Sequence, residues 1–208
     1  MCSACKIFLN RMLQTLRDHT DKNKIKLDNE FYKDLNWFNV FLRSYNGVTF
    51  YSLASINTQV HLDACLSGLG GQYGDWVYSL PLPDNFSNLH ITQLEMLNVI
   101  VALKVWAKNW ANQRITLYCD NLAVVEVLNS GKTRDAFLGA CARNAWLIMS
   151  TFNIHIHTVH IPGKMNYVAD LLSRWHLICQ PIDKLKQWLP NFKWIDTHID
   201  LTMLNMFI

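Results

Sequence analysis

Four carboxylates stand where carboxylates are costly. Asp63 lies inside the apolar run Val60-His61-Leu62-Asp63-Ala64-Cys65, and Glu95 lies early in the apolar stretch that begins near Thr92. Asp120 follows Ile115, Leu117 and Cys119, and Asp170 sits within Val168-Ala169-Asp170-Leu171-Leu172. Each has a purely structural alternative. Thr92-x-x-Glu95 fits a capping box, Asp120 fits an N-cap for the residues after it, Asp170 suits the positive end of a helix, and Asp63 suits the solvent face of a strand. Gathered in one pocket, the four would repel, each raising the pKa of the others, unless cations sat among them. Hard oxygen donors favour Mg²⁺ or Mn²⁺. Two such ions about 4 Å apart activate a water and stabilise the leaving oxygen of an in-line displacement at phosphorus.

The elements that must position these acids are legible from periodicity. Helical spacing over residues 3–19 is followed by a polar linker from His19 to Lys26. A second helix starts at Asp28 as N-cap, carries Phe31, Leu35, Phe38 and Leu42 on one face, and stops at Asn46-Gly47. Alternation predicts strands over 60–65 and 72–80, with Gly68, Gly70 and Gly71 marking a turn and a close backbone approach. A helix from about Thr92 to Ala111, a strand over 114–119, a short helix over 121–129 and a longer one over 134–151 come next. A strand over 153–160 and a helix over 166–175 complete the pattern. Three strands in a row and then alternation imply a mixed sheet with helices on its faces. Strand ends and the starts of the following helices converge on one crevice in such a sheet, so the four acids are expected to meet there.

Composition narrows the class. The chain has 208 residues, half of them apolar and 17% charged, which excludes wholesale disorder. Asn98 and Lys104 interrupt the richest apolar run, so no membrane span is expected, and Lys6 and Arg11 break any signal-peptide core. Six scattered cysteines do not make a disulfide scaffold, and a reducing compartment is the default. Residues 58–176 hold eight Lys or Arg against eight Asp or Glu. With four of those acids sequestered, the remaining surface has eight bases against four acids, as suits a nucleic-acid partner.

The blocks HLDACLSGLGGQYG, ITQLEMLNVIVALKVW, ITLYCDNLAVVEVLNSG and HIPGKMNYVADLLSRW, in this order, resemble the signature blocks of the ribonuclease H domain attached to retrotransposon reverse transcriptases. The flavour is that of DIRS-type elements. The resemblance covers residues 58–176 and implies a mixed α/β, ribonuclease H-like fold: a five-stranded sheet flanked by helices, with a helical N-terminal extension. Residues 1–57 then resemble a remnant of the segment joining polymerase thumb to ribonuclease H, and residues 177–208 form a C-terminal tail. The family's metal-binding acids carry over to Asp63, Glu95, Asp120 and Asp170. The implied activity is Mg²⁺- or Mn²⁺-dependent hydrolysis of the RNA strand of RNA–DNA hybrids. The alternative is a catalytically inactive nucleic-acid-binding module that kept the fold.

The chain lacks a Tyr-x-Asp-Asp polymerase motif, so it resembles a fragment or a decayed, domesticated copy, and a polymerase region missing from this chain is an expected partner beside the RNA–DNA hybrid. The loop after the last strand, Pro162-Gly163-Lys164-Met165, lacks the mobile histidine of many relatives, and His160 before it is expected on an edge strand or buried. Expected nucleic-acid contacts are Gly68 and Gly70 (or plain turn chemistry), Asn121 to ribose hydroxyls (or helix capping), and Lys164 to phosphate. Cys2-x-x-Cys5 is half a zinc site without a second pair.

Overall fold

Period-two alternation places the strands over 57–65, 114–119 and 155–160 close to where the sequence predicts them. The expected glycine turn and single strand over 72–80 fold instead as two strands that turn at Gly74 and Asp75. In the computed structural model, which describes residues 4–19, 24–44, 57–178 and 182–195, strands β1 (Asn57–Cys65), β2 (Gly68–Tyr73) and β3 (Trp76–Pro81) form an antiparallel meander. Strand β4 (Arg114–Cys119) adds to β1 in parallel, and β5 (His155–His160) adds to β4 in parallel. A sixth strand, β6 (Lys193–Trp194), pairs with β3 and completes the order β5-β4-β1-β2-β3-β6. The sheet thus has six strands where five were expected. Two residues carry no period to read, and β6 draws part of the expected tail into the sheet.

Helix α3 (Ile91–Trp106) is buried along almost its whole length, from Leu94 to Leu103 and again at Trp106. A helix that is apolar all round belongs in a core. It packs with Val60, Leu62, Ile115 and Leu117 of the sheet and with the buried faces of α4 (Leu122–Ser130) and α5 (Ala136–Phe152). Truncating Leu97 or Leu103 to Ala would cost about 2–5 kcal/mol. A second, smaller core joins Val77 of β3 to Val168, Leu171 and Leu172 of α6 (Tyr167–Ser173) and Leu185 of α7 (Ile182–Trp188).

The N-terminal extension is helical, as predicted: α1 (Ala4–Arg17) and α2 (Asn29–Ser44). Asp28 caps α2, its carboxylate accepting the Phe31 N–H at 2.7 Å. On the expected apolar face, Phe38 packs against the main core, while Leu35 and Leu42 are exposed. Buried Asp34 of α2 lies 3.4 Å from the guanidinium Nε of Arg143 on α5 and ties the extension to the domain. Asn46-Gly47 and Cys2 lie outside the described residues.

The outer edge of β5 is occupied by a side chain. The Asn129 amide of α4 donates to Thr158 O at 2.7 Å and accepts from Thr158 N–H at 3.0 Å. Among the described residues, no helix is long and apolar enough to cross a membrane.

Candidate active site

The four acids come from four elements. Asp63 lies near the end of β1, Glu95 in the second turn of α3, Asp120 just past β4, and Asp170 in the first turn of α6. β1 and β4 are parallel neighbours, so their C-terminal ends open on the same margin of the sheet. Helix α3 packs on the sheet face that carries Leu62 and Tyr78, and α6 on the opposite face with Val77. The structure brings all four into one electrostatic neighbourhood. Asp120 and Asp170 act on the Asp63 carboxyl, and Asp63 and Asp120 act on Glu95.

Burial and like charge together make the two inner carboxyls weaker acids. Asp63 is only 4% exposed, and burial lifts its carboxyl to about 7; the Ser173 hydroxyl opposes this, while Asp120 and Asp170 add to it. Glu95, 3% exposed, is pushed up to about 9 by burial and then by Asp63, against the backbone hydrogen bond from Ala64. Ser173 donates to Asp63 Oδ2 at 2.6 Å, and the Ala64 N–H donates to Glu95 Oε1 at 3.0 Å. Arg174 Nε donates to Asp170 Oδ1 at 2.8 Å. A cation among these groups would relieve both the desolvation and the repulsion.

The donor set fits a hard divalent cation. Glu95, Cys119 and Asp120 offer ligand atoms within 4.8 Å of one another. Burial holds the Cys119 thiol far above its ordinary range, so it stays protonated and ligates poorly. The carboxylate oxygens are the donors that suit Mg²⁺ or Mn²⁺.

Several expectations are corrected. The capping box of α3 is made by His90 and Gln93, not by Thr92 and Glu95. The helix starts one residue earlier than expected, and Glu95 therefore turns inward to the sheet. Asp120 does not cap α4; Asn121 does, its side-chain oxygen accepting the Val124 N–H at 3.3 Å. The amide of Asn121 also donates to Thr92 Oγ1 at 3.2 Å, which links α4 to α3.

Gly68 and Gly70 are strand residues buried beneath α6 and do not form a surface turn for nucleic acid. A Cβ on Gly70 would come within 2.3 Å of Ser173 N and 2.5 Å of Ala169 O, and one on Gly68 within 2.4 Å of Ser173 O. Their bareness lets the helix that carries Asp170 lie directly on β2. Lys164 is exposed in the one-turn segment Gly163–Met165, where a Cβ on Gly163 would stand 2.9 Å from Asp120 Oδ2. His160 is exposed at the end of the outer strand β5, its Nε2 3.2 Å from Asp120 O.

Three supporting residues were not legible as such. Buried Asn98 donates to Asp63 O at 2.7 Å and to Gly70 O at 2.9 Å, and accepts from the Tyr78 hydroxyl at 2.6 Å. Asn166 donates to Leu62 O at 2.7 Å, and Ser173 holds Asp63 from the other side. Part of the signal was present: Asn98 is a lone polar residue inside an apolar helical run, and Asn166 and Ser173 bound another, where burial demands a partner that the run itself does not name.

Residues 77–176, just under half of the chain, match a family described as reverse transcriptase-like. The match contains Glu95, Asp120 and Asp170 and begins after Asp63. The match and the order of the sheet are consistent with a ribonuclease H-like domain. Among solved structures, RNase H1 of the halophilic archaeon Halobacterium salinarum is similar at 20% identity over 59% of this chain and 98% of that one, with a TM-score of 0.46. The N-terminal RNase H domain of a Mycobacterium tuberculosis protein, solved as a maltose-binding-protein fusion, is similar at 18% identity over 56% and 95%, with a TM-score of 0.41. No curated protein matches.

Proposed function

We propose that this chain hydrolyses the RNA strand of RNA–DNA hybrids, with Asp63, Glu95, Asp120 and Asp170 as the catalytic carboxylates and ligands of two divalent cations. The observation that carries this reading is the convergence of the four acids, two of them buried, on the margin shared by β1 and β4. Cations bound there would supply the positive charge that activates a water and eases departure of the leaving oxygen.

The chain's own residues prepare the site. Ser173 and the Ala64 N–H aim the inner carboxylates, and Arg174 balances Asp170 until a cation or phosphate takes over. Asn121 keeps one amide hydrogen for a ribose hydroxyl after bonding Thr92, and exposed Lys164 suits a phosphate beside Asp120. Residues 58–176 form the nuclease domain, residues 1–57 are a remnant of a polymerase connection of the DIRS-type kind, and residues 177–208 are an appended segment. A polymerase region would be its natural partner.

A gel assay on an end-labelled hybrid, beside all-DNA and all-RNA duplexes and with Mg²⁺ or EDTA, tests the reading. The expected result is magnesium-dependent cutting of the hybrid's RNA strand alone, lost in Asp120→Asn. Equal cutting of an all-DNA duplex, or binding of the hybrid without any cutting, would overturn it.

A further inference from the structure

The solvent side of α6 carries more than Asp170. Tyr167, Asp170 and Arg174 succeed one another at helical spacing along it, while Val168, Leu171 and Leu172 between them are buried. Tyr167 is 43% exposed, and Trp188, at the end of α7, is 51% exposed. Their ring centroids are nevertheless 4.2 Å apart, with planes tilted by 41°. Leu185, wholly buried against the α6 core, fixes α7 in place, so the pair is held rather than loose. Two large rings standing in water beside a carboxylate cluster have an outer face left to cover. Exposed Lys164 precedes Tyr167 by three residues, and exposed Lys184 shares a helix face with Trp188.

Exposed aromatic rings, each with an exposed lysine three or four residues before it, favour one occupant. The cations suit phosphates, and ring faces suit bases, with a sequence-tolerant gain for each base stacked. In a duplex the base faces are already covered, so a free base face belongs to an unpaired nucleotide. Tyr167 lies less than one helical turn from Asp170, a distance of about one to two nucleotide steps. We propose that Tyr167 and Trp188 form a stacking platform for unpaired nucleotides adjoining the duplex, with Lys164 and Lys184 holding their phosphates. This assignment rests on the nuclease reading of the Asp170 site and adds to it a preference for hybrids that end in a single-stranded extension. Trp188 lies beyond the segment that matches the reverse transcriptase-like family.

Fluorescence anisotropy with the full chain in EDTA, where nothing is cut, compares a blunt hybrid, the same hybrid with a short oligothymidine extension, and free oligothymidine. The extension is expected to tighten binding on the order of tenfold. Trp188→Ala and Tyr167→Ala should bring the ratio of the two affinities to about one, and Trp188→Phe should keep most of it. Where the alanine variant does not fold, Trp188→Leu keeps apolar cover without a ring face and reads the same ratio. A wild-type ratio near one overturns the platform, as does a ratio unchanged in folded Trp188→Ala or Trp188→Leu. Sedimentation showing a dimer that Trp188→Ala dissolves would assign the rings to a second copy and equally overturn it. Hybrid cleavage with a ratio near one removes the platform alone; extension-dependent binding without cleavage removes the nuclease reading alone.

Discussion

Glu95 Oε1 accepts the Ala64 N–H at 3.0 Å, so the acid on α3 is tied to the residue that follows Asp63 on β1. Two carboxylates from different elements are thereby held in fixed relation. Glu95→Gln keeps an acceptor for that N–H and removes the charge. Because burial holds Glu95 protonated up to about pH 9, the metal-free variant should melt near wild type at pH 7. Glu95→Ala leaves the Ala64 N–H buried without its partner and should lose about 1–3 kcal/mol. Both should lose hybrid cleavage; differential scanning fluorimetry separates the two variants.

The weakened acidity of these two carboxyls fixes a pH dependence. From the ordinary carboxylate range up to about pH 7 on Asp63 and about pH 9 on Glu95, the folded chain holds protons that the unfolded chain has released. Their contribution is full below about pH 4 and is lost as pH rises through about 7 for Asp63 and about 9 for Glu95. Metal-free protein should therefore melt at progressively lower temperature from pH 6 to pH 9. Magnesium should stabilise more at the high end, where fewer protons must leave. Melting curves at four pH values, with EDTA or about 10 mM Mg²⁺, read both trends; flat, superimposed profiles would refute the coupling.

Asp120→Asn spares the cap of α4, because Asn121 supplies it. It removes a charge that acts on both Asp63 and Glu95. Metal-free stability should rise, on the order of 1 kcal/mol, while cleavage and the magnesium response fall. Asn121→Ala should lower stability by about 1 kcal/mol through the lost cap. Opposite shifts in melting temperature from adjacent residues are the signature to look for.

Gly70→Ala tests how α6 is seated. The added carbon meets the backbone of Ser173 and Ala169, which cannot swing aside as a side chain would. The expected loss is about 1–3 kcal/mol from overpacking, together with lower cleavage at unchanged hybrid affinity as Asp170 is displaced. A purely substrate-contacting glycine would show the reverse: weaker binding at unchanged melting temperature.

Element order was legible because period two and period 3.6 alternate cleanly from β1 to α6. The start of α3 was harder. Its apolar residues surround the axis, and its cap is a histidine whose Nδ1 accepts the Thr92 N–H. The acids stood out as charges in apolar runs. Gly68 and Gly70 were open to two readings, because bare backbone serves a ligand or a packed helix alike, and only tertiary structure distinguishes them. The roles of Asn98 and Asn166 depend on carbonyls more than thirty residues distant, which no local pattern encodes.

Asn129 occupies the backbone of Thr158 as a neighbouring strand would. A second molecule seeking to lengthen the sheet through β5 finds those two groups already satisfied. The acid-lined margin and the open flank of the same sheet are thus kept apart: the carboxylates gather at one end of β4, while the flank beside it is blunted at Thr158. Concentrated protein, or protein fused to a partner at either terminus, keeps this protection, since the guarding amide belongs to a helix packed by one face on the core rather than to a detachable segment.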